Sequence, residues 1–129
     1  MLRSKTILIV DDSDDTRHLF SIMARSLCDN VLEANDGLSA TTLIGLVKVD
    51  LIILDWRMPV MSGYEFLEWC ESNNLTIPVI VCSADVIARS GPLPYSAYVT
   101  EMTKIVTMQK FADTVNAAYN KSGGGNVQS

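Results

Sequence analysis

The chain has 129 residues, 48% of them hydrophobic and 19% charged, with a formal net charge of -5. This is the size and composition of one globular domain that can build its core without disulfide or metal staples. The acidic balance argues against direct nucleic-acid binding, which needs clustered Lys and Arg.

The first element follows residues 1–6. Ile7-Leu8-Ile9-Val10 is a continuous apolar run that ends at Asp11 and Asp12. A run without polar alternation predicts a strand covered on both faces. It is too short for a signal-peptide core or a membrane span, so no membrane partner and a cytoplasmic location are expected. From Asp14 to about Asp29, Leu19, Ile22, Met23 and Leu27 recur at helical spacing, with Ser13 or Asp14 available as the cap. His18, alone one turn into that helix, is expected to be solvated. Asn30 to Ala34 reads as a short strand and Asn35-Asp36-Gly37 as a turn. Ala40, Leu43 and Val47 then mark one face of a second helix.

Leu51-Ile52-Ile53-Leu54-Asp55 repeats the first pattern, four apolar residues running into one acid. Asp55 is the first residue able to leave the covered layer, at the strand's carboxyl end, where parallel sheets bind ligands. A loop through Pro59 and Gly63 leads to a helix carrying Phe66, Leu67 and Cys70 on one side. Pro78-Val79-Ile80-Val81-Cys82 is a fourth strand, ending at Ser83-Ala84-Asp85. Gly91-Pro92-Leu93-Pro94 breaks the next segment, so the fourth helix is expected to be short or missing. A fifth strand is expected within residues 97–103, then a last helix in which Phe111, Val115 and Ala118 share a face. Residues 1–121 form the expected domain, and the Gly-rich residues 122–129 a flexible tail or the start of a linker. Strands alternating with helices imply a parallel sheet with right-handed crossovers. Cys28, Cys70 and Cys82 lie among apolar residues without C-x-x-C spacing, which predicts buried free thiols in a reducing compartment.

Chain order places Asp11 and Asp12 after the first strand and Asp55 after the third. If those strands are neighbours, three carboxylates converge. Such a cluster opposes joint ionisation unless a cation neutralises it. All-oxygen donors favour a hard divalent ion, and Mg2+ commonly leaves positions for phosphate oxygens.

The acid pair, the Asn35-Asp36-Gly37 turn, Leu54-Asp55-Trp56-Arg57-Met58-Pro59-Val60-Met61-Ser62-Gly63 and Ser83-Ala84 stand in a telling order. Together they resemble the receiver domain of two-component response regulators, over about Lys5 to Tyr119. The resemblance implies an α/β, flavodoxin-like doubly wound (βα)5 fold with a five-stranded parallel sheet in order 2-1-3-4-5. It implies that Asp55 is the phosphoacceptor, attacking phosphorus in line to give an acyl phosphate. Asp12 would hold Mg2+, with Asp11 assisting partly through water, Asp55 itself, and the backbone carbonyl of Arg57. Ser83 would donate to a phosphoryl oxygen and Lys104 would pair with the same group. The implied partners are a histidine kinase or phosphotransfer protein upstream, and an output domain or downstream protein. The implied chemistry is self-phosphorylation and autodephosphorylation, not turnover of a separate substrate.

Two departures stand out. Ile105 follows Lys104 where the family usually has proline, and Glu101 occupies the usual position of a switch aromatic, with Tyr98 three residues earlier. Arg57 and Asp85 are expected at the site mouth, where an ion pair between them would partly cover the phosphoryl group and slow attack by water; the alternative reading is two solvated charges.

Two other readings compete. Altered residues 84–105 would suit a receiver that binds partners without phosphorylation. Asp12-Ser13-Asp14-Asp15-Thr16 fits D-x-D-x-T, which resembles the first motif of haloacid-dehalogenase-type phosphatases, with Asp12 as nucleophile.

Overall fold

A computed structural model describes residues 2–84, 87 and 91–121. The apolar runs become strands β1 (Thr6–Val10), β2 (Asn30–Ala34), β3 (Leu51–Asp55), β4 (Val79–Ser83) and β5 (Val99–Thr103). They form one sheet in the order β2-β1-β3-β4-β5, every pair parallel. The helices are α1 (Asp14–Arg25), α2 (Gly37–Leu46), α3 (Gly63–Ser72) and α4 (Met108–Lys121).

Because side chains alternate along a strand, the continuous runs divide between two core layers. Leu8, Val10, Ile52, Leu54, Val79 and Val81 pack with Ala40 of α2 and with Phe66 and Leu67 of α3. Ile7, Ile9, Leu51, Ile53 and Ile80 pack with Phe20 and Ala24 of α1 and with Phe111 and Val115 of α4. A sheet covered on both faces needs no polar residue within its strands, which is why the runs show no alternation.

The helix starts are built as their residue types dictate. Ser13 caps α1, accepting from the Thr16 amide, and Asp36 caps α2, accepting from Ser39 at 2.7 Å. Ser62 and Glu65 close a capping box on α3. Phe66, Leu67 and Cys70 of α3, and Phe111, Val115 and Ala118 of α4, are all buried as their spacing predicts. The three cysteines are buried and free.

The first helix differs from expectation. Leu19 and Ile22, two of the four residues that marked it, are 53% and 55% exposed, while Phe20, Ser21 and Ala24 are buried. Phe20 stacks on Phe111 at 5.8 Å, and a phenyl ring buries more apolar surface than a leucine, so its contact decides which face turns inward. The helix also ends at Arg25, short of Asp29, because the hydroxyl of Ser26 donates to the Met23 carbonyl and closes the last turn. Val47, expected on the inner face of α2, lies past the helix end in extended backbone and is 45% exposed.

Between β4 and β5 the described residues contain no α-helix, only a 3-10 turn at Ser96–Tyr98. Leu93 and Tyr95 instead pack into the same layer as α3. The hydroxyl of Tyr95 donates to the Ile77 carbonyl at 2.7 Å, its amide donates to Glu71 at 3.3 Å, and its ring meets that of Tyr98. Asp85 and residues 122–129 lie outside the described residues.

Candidate functional site

Strands β1 and β3 are direct neighbours, with Val10 opposite Leu54. The residues that follow these partners therefore emerge side by side at the carboxyl edge of the sheet. Asp11, Asp12 and Asp55 can each offer a carboxylate oxygen, all within 4.8 Å of one another. Asp11 and Asp55 are 1% and 3% exposed, whereas Asp12 is exposed.

Lys104 joins this cluster from the end of β5. Its Nζ lies 3.0 Å from Asp55 Oδ1 and 3.5 Å from Asp11 Oδ2. No peptide bond among the described residues is cis, so the bond to Ile105 is trans and the lysine still reaches the acids. The backbone explains how: the Lys104 amide donates to the Ser83 carbonyl at 3.0 Å, extending the β4–β5 ladder by one residue. Ile105 itself is 95% exposed. Ser83 is the last residue of β4, one beyond Cys82, which is the register partner of Asp55. The hydroxyl-bearing residue, the acid and the lysine thus stand on three adjacent strand ends.

Two close acids and burial disfavour charge. Burial pushes the Asp55 carboxyl up to about 6, against the hydrogen bond from Lys104, while the negative charge of Asp11 adds to the rise. Burial pulls the Lys104 ammonium down, but its hydrogen bond with Asp55 and the charges of both acids outweigh that and hold it above its usual value. Beneath the site, burial pushes the Cys82 thiol up to about 12, leaving it an inert core group.

The β3–α3 loop is fixed from several sides. The Arg57 amide donates to Asp55 Oδ1 at 3.3 Å and the Trp56 amide to the Cys82 carbonyl at 2.9 Å. Gly63 lies so close to Trp56 that an added Cβ would sit 2.7 Å from its ring and 2.9 Å from its carbonyl oxygen. Only glycine permits that approach. The Arg57 side chain is exposed and helps line an open pocket of about 550 Å³ with Trp56 and Tyr64. Its expected partner Asp85 is outside the described residues.

Sequence reasoning missed Arg17. Its guanidinium donates to the Asp11 carbonyl at 2.8 Å, to Asp14 at 2.6 Å and to Glu33 at 3.1 Å. The spacing of Asp14 and Arg17, three apart on a helix, was a visible signal for one of these contacts. The other two arise from tertiary structure.

Three carboxylates around one point are the hard oxygen donors that suit a divalent cation such as Mg2+. Fold and cluster together define a flavodoxin-like domain with three acids gathered at its switch-point edge. The chain belongs to the response regulator receiver domain family, which matches residues 7–90. It is thus a receiver domain of two-component signalling.

Among its relatives, the autoinducer 1 sensor kinase/phosphatase LuxN of Vibrio campbellii is 34% identical over 83 residues, 64% of this chain and 10% of that protein. The phosphate regulon transcriptional regulatory protein PhoB of Pseudomonas aeruginosa is 38% identical over 82 residues, 62% of this chain and 36% of that protein. The chain therefore spans only a small part of these relatives. The receiver domain of the hybrid histidine kinase CckA superposes with a TM-score of 0.72 at 27% identity, over 88% of this chain and 98% of that one. The chemotaxis protein CheY4 of Vibrio cholerae has the same fold, with a TM-score of 0.77 at 22% identity over 89% of this chain and 98% of that one. Family membership removes the ground for the haloacid-dehalogenase reading of Asp12.

Proposed function

We propose that this receiver domain is a phosphorylation-dependent switch in which Asp55 accepts a phosphoryl group from a histidine kinase or phosphotransfer protein. The observation that carries the reading is the convergence of three carboxylates within 4.8 Å beside a lysine 3.0 Å from Asp55. Asp11, Asp12, Asp55 and the Arg57 carbonyl would hold Mg2+. When bound, the ion supplies neutralisation of the charge that gathers on the transferring oxygens.

A carboxylate oxygen of Asp55 attacks phosphorus in line. The bond from phosphorus to the donor's imidazole nitrogen breaks, and its electron pair stays with the nitrogen. Ser83 donates its hydroxyl to a phosphoryl oxygen, and Lys104 exchanges its contact with the Asp55 carboxylate for one with the new group. The added charge of about -1.5 to -2 draws both side chains toward it and biases the β4 and β5 ends between two arrangements. An output domain or downstream protein reads the result. Arg57, with Asp85 outside the described residues, would control the acyl phosphate's lifetime.

Incubation with acetyl phosphate and Mg2+, followed by intact mass, tests this. Wild type should gain one phosphoryl group, and the gain should vanish in Asp55→Asn and in EDTA. A wild type that gains nothing would favour a phosphorylation-independent binding module.

A further inference from the structure

Arg17 is tied at all three nitrogens of its guanidinium. Its side chain is 15% exposed and its guanidinium reaches three acceptors on three segments: the Asp11 carbonyl beyond β1, Asp14 in the first turn of α1, and Glu33 on β2. Two of these are carboxylates. The third is a backbone carbonyl of the site.

That carbonyl matters because of what it fixes. The Asp11 carbonyl and the Asp12 amide belong to one planar peptide unit, so holding the oxygen sets the plane from which Asp12 departs. The remaining polar groups of Asp11 are also tied: its amide donates to the Ala34 carbonyl at 3.1 Å, and its Oδ1 accepts from the Ser13 amide at 2.9 Å. Only Oδ2 turns toward Lys104. Asp12 is exposed, so packing does not hold its side chain, and what the fold fixes is the backbone from which that side chain departs.

We infer that Arg17 is a positioning residue for the cation cradle, holding the Asp11–Asp12 peptide plane so that the exposed Asp12 carboxylate is presented to a divalent ion before the ion arrives. Asp14 and Glu33 serve as anchors that keep the guanidinium fork aimed at the carbonyl. An ammonium cannot reproduce three directed contacts from one planar group, so lysine is not an equivalent at this position.

The inference rests on the proposed Mg2+ site and has a sign that separates it from a simple field effect. Removing a positive charge near a cation site should tighten cation binding if electrostatics alone matter. Positioning predicts the reverse.

The test is Mg2+ titration of the full chain, followed by Trp56 fluorescence and by backbone amide resonances, with urea unfolding of each variant in EDTA. Arg17→Ala and Arg17→Lys should both weaken Mg2+ by about tenfold or more, the range for residues that orient metal ligands. Their Asp12 amide resonances should already be displaced without metal. Glu33→Gln, which removes charge but keeps an acceptor, should bind Mg2+ nearly as wild type does. A folded Arg17→Lys protein with unchanged affinity would overturn the inference, as would tighter binding by Arg17→Ala. If Arg17→Ala does not fold, Arg17→Lys decides alone. A wild type without a saturable Mg2+ response would overturn the cradle itself, and this inference with it.

Discussion

Asp55 is stabilised as an acid at the expense of the fold that holds it. Its ordinary carboxyl value is 3.8 and in the folded chain it rises to about 6, from burial first and from the neighbouring Asp11 next. Between these values the folded chain keeps a proton that the unfolded chain has released, so stability falls as pH rises through that window. The raised Lys104 does not offset this there, since its contribution is lost only far to the alkaline side. For Asp55 alone the full span is about 3 kcal/mol. In EDTA, Asp55→Asn should therefore unfold at a higher denaturant concentration than wild type at pH 7, by about 1–3 kcal/mol. The gap should shrink toward pH 4. Urea unfolding of both proteins at pH 4, 5, 6 and 7 checks this, and a gap that stays constant with pH would count against the buried, proton-retaining acid. The acid run and Asp55 were legible from sequence because each ends an apolar run. The Arg17 contacts to Glu33 and to a backbone carbonyl were not, because neither leaves a local spacing.

At the level of elements, the strands could be read directly, since a sheet covered on both faces demands unbroken apolar runs. The faces of α3 and α4 were equally plain, each carrying one set of large apolar residues. Helix α1 was harder, because Leu19, Phe20, Ile22, Met23 and Leu27 offer two overlapping stripes and periodicity cannot choose between them. The choice is made by Phe111 across the sheet face, 5.8 Å from Phe20. Phe20→Ala should accordingly destabilise by about 3–5 kcal/mol. Leu19→Ala, at a site 53% exposed, should stay within about 0.5 kcal/mol. Denaturant midpoints of the two variants measure the difference, and equal losses would mean that the helix is rotated from the described face. The break at Gly91 to Pro94 also announced itself in sequence. What did not was the packing of the residues after it: Tyr95 sits in the left-handed region at φ 62 and is held there by its hydroxyl and amide contacts.

For the whole molecule, one adjacency organises the rest. Because β1 pairs with β3 in parallel, acids separated by more than forty positions in sequence share one edge, and β4 and β5 bring Ser83 and Lys104 to the same place. The trans bond before Ile105 does not disturb this, since the lysine is carried by the strand ladder that precedes it. The most direct measurement is the location of the acyl phosphate. Protein phosphorylated with acetyl phosphate and Mg2+ is reduced with borohydride, which converts an aspartyl phosphate to homoserine, and then digested and sequenced by mass. The account predicts homoserine at position 55 alone. Reduction at Asp11 or Asp12, or a phosphorylated protein with no reducible acyl phosphate, would contradict it.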